Sequence, residues 1–307
     1  MKVDSLNNIS ELRKENSSVG DYISLLKPRV MILAIFSSVC GLILAPGTIH
    51  PFLFFVSIIC ISIGAGASGA INMWYDKDID SLMNRTKNRP VARGAIFSMN
   101  ALGFGVVLAI ISVLLLGLAT NYFAAFLLGF SIFFYIFIYT IWLKRRTHHN
   151  IVIGGAAGAF PPIIGWVCVT GDLSLFPILM FLTIFFWTPP HFWALSLYKD
   201  VEYQKANIPM LPVIKGHKET KLQILLYSMV LFIVSLLPCY YGFAGKQFLV
   251  LGTILNLIFV FFSFKCFVSD KKKTEKKASD LFKFSILYLY LYFLILVLEK
   301  LVVNYNG

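Results

Sequence analysis

Charge is scarce in this chain. Only 14% of its 307 residues are charged, whereas 58% are hydrophobic and the mean hydropathy is +0.77. Soluble domains carry roughly 25% charged residues, so the composition excludes a soluble fold. It predicts an all-α integral membrane protein, because helices satisfy their own backbone hydrogen bonds in lipid.

Cysteine motifs are also missing. The five cysteines form no CxxC motif and no Cys/His spacing, and all lie within or at the ends of apolar stretches: Cys40, Cys60, Cys168, Cys239 and Cys266. A disulfide framework and a zinc site are therefore not expected, and packing explains these side chains. No apolar core follows the first residues closely, so residues 1–21 are expected to form a disordered tail, not a signal peptide.

Long apolar stretches make up most of the remaining chain. Most of them have about the 17–25 residues that cross a bilayer. They lie near residues 30–46, 52–71, 96–118, 120–142, 150–170, 174–197, 222–243, 247–268 and 281–303. The first stretch is the shortest. Residues 22–307 are therefore predicted to form one membrane domain with nine transmembrane helices.

The basic residues are distributed unevenly between the connections. Of the 27 Lys and Arg residues, 25 fall on one side of the predicted membrane, hereafter the basic face, and only Lys246 and Lys300 fall on the other. The positive-inside rule then predicts a cytoplasmic amino terminus and an external carboxyl terminus. The expected location is a bacterial-type plasma membrane. This asymmetry explains the net charge of +12 without nucleic-acid binding. The lysine run at 271–277 is expected to form a loop that contacts anionic lipid.

The densest polar segment is NMWYDKDIDSLMNRTKNRPVAR at 72–93, at the end of the second apolar stretch. Asn72, Asp76 and Asp80 recur every four residues, so a continuing helix would carry all three on one face. Amide and carboxylate oxygens bind Mg²⁺ together with phosphate oxygens, and Mn²⁺ would suit the same ligands. Three basic residues that would meet the phosphate charge follow, Arg85, Lys87 and Arg89. This segment predicts a metal and diphosphate site at the membrane edge.

A second charged segment, 198–221, follows the sixth apolar stretch on the same face. Asp200 and Glu202 are candidate ligands of a second metal ion, because two metal ions suit a diphosphate leaving group. The sequence does not decide which of the two acids binds the metal. Lys205 is a candidate substrate contact, and a solvated surface is the alternative for all three.

A third basic patch begins at Lys144 and Arg145 and continues to His149. By itself, such a patch is typical of contact with lipid headgroups. If the three charged segments converge, Lys144 and Arg145 would also reach the diphosphate.

Small residues and proline pairs mark particular apolar stretches. GAGASGA lies at 64–70 and GGAAG at 154–158. Such runs let helices approach closely in lipid, or leave room for a large ligand. Pro161-Pro162 and Pro189-Pro190 interrupt the fifth and sixth stretches. Broken backbone at membrane depth is tolerated only against protein or a cavity, so the proline pairs indicate a cavity near the basic face.

One histidine, His191, lies in the apolar aromatic text WTPPHFWAL. Such a residue is often a structural side chain with a hydrogen bond. Beside a proline pair, with Trp187 and Trp193 nearby, contact with a second substrate is an equal alternative. If that substrate were a porphyrin, His191 would bind its iron or a propionate.

These residues together carry a family resemblance. The chain resembles the UbiA superfamily of intramembrane aromatic prenyltransferases from about residue 22 onward. The superfamily motif Asn-x-x-x-Asp-x-x-x-Asp is matched by Asn72, Asp76 and Asp80. The longer text is similar to the branch that farnesylates heme: NMWYDKDID with MNRTKNRP, then LKRRT and NIVIGGAAGAFPPIIGW, then TPPHFWALSLYKDVEYQKANIPMLPV. The second segment departs from the usual Asp-Tyr, because this chain has Glu202-Tyr203.

The resemblance implies nine helices around a central cavity, with cytoplasmic loops that cap the active site. It implies that farnesyl diphosphate and heme b are substrates, and that a farnesyl group and water add to a heme vinyl group. The product, heme O, would serve terminal oxidases, either directly or as the precursor that a heme A synthase partner converts. Mg²⁺ on Asn72, Asp76, Asp80 and the acids of the second segment would stabilise the departing diphosphate, and the basic residues would share that role.

Three alternatives compete with this interpretation. A sister prenyltransferase for a quinone precursor would share the first segment but lack TPPHFW and IPMLP. A transporter also has broken helices, yet here the charges lie in loops and the centres of the stretches carry almost none. A heme-handling assembly factor would need His191 or a similar ligand, but has no use for diphosphate-binding loops.

Overall fold

The structure, a computed structural model, describes residues 17–306, without the side chains of Lys271 and residues 303–306. It is helical, and no strand occurs among the described residues. In chain order the elements are α1 (Val19–Leu25), α2 (Pro28–Leu44), α3 (Pro51–Tyr75), α4 (Lys77–Leu82), α5 (Ser98–Ala119), α6 (Tyr122–Phe133), a π-helix (Phe134–Leu143), α7 (Asn150–Thr170), α8 (Leu175–Tyr198), α9 (Asp200–Lys205), α10 (Leu211–Ile214), α11 (Gly216–Tyr240), α12 (Lys246–Phe267) and α13 (Lys271–Asn306).

Eight helical segments of the described chain are long and apolar enough to cross a membrane. One of them, Tyr122–Leu143, joins α6 to the π-helix. A ninth span results if α1 and α2, which are bent by 53° relative to each other, are counted together. The prediction of an all-helical, multi-pass membrane protein is therefore confirmed, and the predicted count of nine includes the bent pair.

The bend between α1 and α2 has a local cause. Pro28 occupies the first turn of α2, where its missing N–H costs nothing, but it cannot continue the preceding helix. Lys27, immediately before it, has φ 51° in the left-handed region, where a side chain other than glycine is strained. The chain therefore changes direction at Lys27, and the side chain of this residue is aimed into the protein.

Ordered structure begins earlier than the predicted tail boundary at residue 21. Ser18 accepts a 3.2 Å hydrogen bond from the Asp21 N–H, while Asp21 accepts one of 3.0 Å from the Ser18 N–H. This reciprocal capping box starts α1, and Arg93 forms an ion pair with Asp21. The remainder of the predicted tail, residues 1–16, lies outside the described residues.

Two other local expectations differ from the structure. The lysine run at 271–277, expected in a loop, forms the first turns of α13, because lysine is a good helix former and α13 extends beyond its apolar part. Pro161-Pro162 and Pro189-Pro190 lie inside α7 and α8 without ending either helix. In a membrane protein, neighbouring helices can compensate the freed backbone groups.

Small residues bring helices into close contact. A Cβ on Gly41 would collide with the backbone of Pro162, and one on Gly165 would collide with the backbone of Ser38, so α2 and α7 touch at their backbones. A Cβ on Gly154 would overlap the ring of Tyr139. The GGAAG run thus makes room for an aromatic side chain of the π-helix.

The connections at the basic face have an apolar core of their own. Ile79 and Met83 follow α3, and they pack with Tyr203 and Met210 from the chain around α9 and with Ile151 of α7. This cluster is separate from the large core between the long helices. It attaches the first and second charged segments to each other.

Candidate active site

The predicted ligand face is continuous across the junction between α3 and α4. α3 ends at Tyr75, yet the Asp76 N–H still donates to the Asn72 carbonyl (2.9 Å) and the Asp80 N–H to the Asp76 carbonyl (2.8 Å). The helical register is therefore kept across the junction. The side chains of Asn72, Asp76 and Asp80 are all buried, with 3%, 0% and 2% of their surface exposed. We call these three residues the ligand triad.

Each member of the ligand triad has a different cation as its closest charged partner. The Lys27 ammonium donates to Asn72 Oδ1 at 2.6 Å, and Lys144 forms an ion pair with Asp76. Arg89 Nη1 donates to both carboxylate oxygens of Asp80, at 2.8 and 2.7 Å. Buried carboxylates need such compensation, because an unpaired charge in an apolar interior is costly.

The π-helix supplies the wall opposite the ligand triad. Thr140 Oγ1 accepts a 3.2 Å hydrogen bond from Asn72 Nδ2, which also donates to Asp76 Oδ2 at 2.7 Å. These contacts orient the Asn72 amide so that its oxygen faces Lys27. The wide π-helical turn continues into Lys144, whose N–H donates to the carbonyl of Tyr139, five residues earlier. Such turns are frequent at functional sites.

Arg145 ties the third charged segment to the first. Its two terminal nitrogens donate to the two oxygens of Asp78, both at 2.8 Å, and one also donates to the Tyr75 carbonyl at 3.0 Å. These hydrogen bonds lower the pKa of the Asp78 carboxyl. Asp78 is exposed and lies off the buried face, as its position in the helical repeat predicts. Both side chains border an open cavity of about 480 Å³ at the basic face.

The second charged segment reaches the first through Glu202, not Asp200. The Arg85 N–H donates to Glu202 Oε2 at 3.3 Å, and Lys199 donates to Oε1 at 3.1 Å. Burial acts to raise the pKa of Glu202, but these hydrogen bonds outweigh it and hold the pKa below its usual value. Asp200 is paired with His217 of α11 at 2.8 Å. Glu202 is therefore the acid that lies beside the first segment.

Several candidate residues do not share the burial of the ligand triad. Arg85, Lys87 and Lys205 have exposed side chains. Within the described part of the chain, no three His, Cys, Asp or Glu side chains are close enough to hold a metal ion by themselves. The acids of the two segments are thus not assembled around a common point.

His191 is held by packing. Its Nδ1 lies 2.6 Å from Ser285 Oγ of α13, and its ring is stacked between Trp187 and Phe282, with centroids 4.3 and 4.6 Å away. These contacts match the structural alternative. Only the other ring nitrogen is left for a substrate.

Two residues of the site, Lys27 and Thr140, lie outside the three charged segments that the sequence indicates. Thr140 lies in an apolar run that carries no signal of its own. Lys27 does have a signal, because Lys-Pro directly precedes an apolar stretch, where a bend can turn the lysine inward.

The ligand triad has the chemistry to hold a hard cation. Asp76 Oδ1 is buried and accepts no hydrogen bond from the part of the chain that the structure describes, where Arg145 Nη2, at 3.5 Å, is its cationic partner. Such an orphaned carboxylate oxygen is rare in a folded protein, whereas Mg²⁺ favours oxygen ligands of this kind. The donor set therefore fits a divalent ion.

An oxygen-rich face among cations, at the membrane edge of a helical bundle, is compatible with an intramembrane enzyme of the prenyl diphosphate type, and the family comparison shows that class. Residues 33–287 match the model of the UbiA prenyltransferase family, and the chain belongs to that family. The protoheme IX farnesyltransferase of Parvibaculum lavamentivorans is 51% identical over 285 residues, which cover 92% of this chain and 90% of that protein. The enzyme of the same name from Rickettsia bellii is 49% identical, with 94% and 96% covered.

Solved structures share the fold. A digeranylgeranylglyceryl phosphate synthase superposes with a TM-score of 0.75 at 18% identity, and 92% of this chain and 98% of that chain are covered. A UbiA homologue from Archaeoglobus fulgidus, bound to GPP and Mg²⁺, gives a TM-score of 0.67 at 16% identity, with 90% and 99% covered.

Proposed function

We propose that this protein transfers the farnesyl group of farnesyl diphosphate to a vinyl group of heme b, with addition of water, and so makes heme O for terminal oxidases. The proposal rests on about half-identical relatives that share nearly the whole chain and are named protoheme IX farnesyltransferase. The buried ligand triad with its three cations supports the diphosphate half of the reaction.

Asn72, Asp76 and Asp80 would hold Mg²⁺, or Mn²⁺, and Glu202 is the better placed of the two further acids. A fold relative that binds GPP and Mg²⁺ supports this choice of metal. When bound, the ion would neutralise charge on the departing diphosphate.

Three cations of the site would change partners when the diphosphate binds. Lys27, Lys144 and Arg89 occupy the oxygens of the ligand triad in the structure. A diphosphate offers them stronger anionic acceptors, so turning toward it frees the triad. The same cations then stabilise the charge that grows as the C–O bond breaks and its electron pair leaves with the diphosphate. Arg85 and Lys87, which are exposed, would bind its outer oxygens.

The farnesyl cation needs an environment without bulk water. Aromatic side chains such as Tyr139, set against Gly154, offer polarisable faces to an allylic cation. A vinyl carbon of heme forms the new C–C bond, water adds to the resulting cation, and one proton is lost. Arg145, His191 and Lys205 are the candidate contacts to heme and to the rim of the site, His191 through the ring nitrogen that Ser285 leaves unused.

The cellular setting is part of the proposal. The excess of basic residues on one face supports a cytoplasmic amino terminus and an external carboxyl terminus in the plasma membrane. Heme O is the precursor that a heme A synthase would take over, which makes such an enzyme a candidate partner.

A turnover assay tests the acceptor. Purified protein in nanodiscs receives farnesyl diphosphate, Mg²⁺ and heme b, and the products are analysed by mass spectrometry. The proposal predicts a Mg²⁺-dependent product with the mass of heme plus a farnesyl group and a hydroxyl group. If 4-hydroxybenzoate or a naphthoate is prenylated and heme is unchanged, the acceptor is a quinone precursor and not heme. Absence of transfer to any acceptor would refute enzymatic activity of this class.

A further inference from the structure

A second cavity opens at the basic face, away from the ligand triad. Its volume is about 400 Å³, and it lies between the start of α7, the end of α8, α10 and α11. His148, His149, Trp193, Lys215 and Tyr227 are among its lining residues. No member of the ligand triad and none of its three cations borders this cavity. We call it the α7–α11 cavity.

An unsatisfied indole lines the α7–α11 cavity. Trp193 is only 3% exposed, and its Nε1–H has no hydrogen-bond acceptor among the described residues. Its neighbour Trp187, also buried, donates its Nε1–H to the Ser285 carbonyl at 2.8 Å. Buried indole N–H groups usually find such an acceptor. Trp193 therefore has an unused donor beside the cavity, held edge-on against the ring of Tyr227 at 5.2 Å.

The cavity also presents imidazole nitrogens and a free ammonium group. The rings of His148 and His149 lie 4.1 Å apart. Burial, followed by His149 and Lys215, lowers the pKa of His148, which favours the neutral imidazole that can bind a metal. Lys215 is exposed and forms no ion pair with any described residue.

We propose that the α7–α11 cavity binds heme b, as a receiving site separate from the diphosphate site. The inference rests on the proposed function. His148 or His149 would bind the iron, Trp193 and Tyr227 would contact the porphyrin, and Lys215 and the Trp193 N–H would bind a propionate. A bare metal ion fits less well. Glu219 also lines the cavity and accepts a 2.9 Å hydrogen bond from Gln223, but among the described residues this acid and the two imidazoles do not form a group that could hold a metal ion. No other ligand of the reaction combines an aromatic plane, carboxylates and an iron.

Heme titration of the full-length protein in nanodiscs, without farnesyl diphosphate, tests this site. The absorption of the heme Soret band is followed for the unchanged protein and for variants. The double variant His148→Gln/His149→Gln should weaken heme affinity by at least about tenfold, a loss of one iron ligand. Trp193→Phe keeps the ring, removes the donor and should weaken heme affinity by about threefold. The control variant His50→Gln replaces an exposed imidazole directly before α3, and it should bind heme like the unchanged protein.

The outcomes separate this inference from the proposed function. Unchanged heme affinity in the double variant, or loss of the Soret shift in His191→Gln instead, overturns the receiving site even if farnesyl transfer is intact. If the double variant loses heme binding and the unchanged protein transfers no farnesyl group, the receiving site is supported and the proposed function is refuted. Iron-free protoporphyrin lacks the metal, so it should bind the unchanged protein and the double variant equally. If the double variant loses as much affinity for protoporphyrin as for heme, the histidines do not act as iron ligands.

Discussion

Lys27 links a strained backbone to the diphosphate site. Its positive φ and its contact with Asn72 both follow from the bend before Pro28. Strain of this kind is retained where the surrounding structure over-determines it, commonly at functional sites. The charged segments of the sequence do not predict Lys27 as a site residue, because its contact with Asn72 depends on the bend that turns its side chain inward.

Replacing Lys27 tests its part in transfer. Lys27→Gln keeps a donor for Asn72 but removes the charge, so the rate of farnesyl transfer should fall roughly 10²-fold, the typical loss of one electrostatic stabiliser. Steady-state kinetics would show it as a lower kcat and a higher KM for farnesyl diphosphate. The matched variant Lys265→Gln, on α12 and far along the chain, should leave both constants unchanged. Equal kinetics for Lys27→Gln and the unchanged protein would contradict the role.

The pairing of every triad member with a cation predicts coupled binding. Mn²⁺ alone must displace Lys27, Lys144 and Arg89, whereas pyrophosphate offers these cations new acceptors. Mn²⁺ affinity, measured by electron paramagnetic resonance, should therefore rise at least about tenfold when pyrophosphate is present, a coupling of roughly 1.4 kcal/mol. Mn²⁺ that binds equally well without pyrophosphate would show that the cations are no obstacle.

At the scale of elements, α13 joins two other helices at the face opposite the basic one. Glu299 accepts hydrogen bonds from the Gly245 and Phe248 N–H groups at 2.8 and 2.9 Å, which caps the start of α12. Lys300 donates to the last carbonyls of α2, those of Ile43, Leu44 and Ala45, at 2.8–3.0 Å. Adjacent residues of one helix thus satisfy the ends of two others.

Removing this cap should destabilise the fold without altering the chemistry. Glu299→Leu leaves the two N–H groups unsatisfied, and the expected cost is about 1–3 kcal/mol. Thermal unfolding in detergent would show a lower Tm, and turnover below that temperature should be unchanged. Lys246→Gln, at the start of α12 but exposed, is the control. A Tm equal to that of the unchanged protein would mean that water or detergent replaces Glu299.

The sequence predicted the long elements better than the short ones. Apolar length located the membrane helices, because a bilayer imposes a minimum length. α1 was missed, since it is short and depends on the Ser18–Asp21 capping box and on the ion pair with Arg93. The start of α13 was missed because charge was taken to indicate a loop, although lysine favours helix.

At the scale of the whole molecule, what the sequence could not predict is how the charged segments converge. The spacing of Asn72, Asp76 and Asp80 placed these residues on one face, as found. The choice between Asp200 and Glu202 depends on how α9 packs through Tyr203 against the first segment, a tertiary contact without a local signature. Two of the cations that hold the ligand triad likewise come from distant parts of the chain, Lys27 from the bend before α2 and Lys144 from the end of the π-helix.

The central claim is that the buried ligand triad is the diphosphate site of a heme farnesyltransferase. The most direct test compares Asp76→Asn with Asp172→Asn, an equal change in an exposed loop. Both variants are assayed with heme b, farnesyl diphosphate and Mg²⁺, and heme binding is measured in parallel. Asp76→Asn should lose at least about 10²-fold in farnesyl transfer while heme affinity stays within about twofold, and Asp172→Asn should be unaffected. Turnover by Asp76→Asn at the unchanged rate would contradict the account.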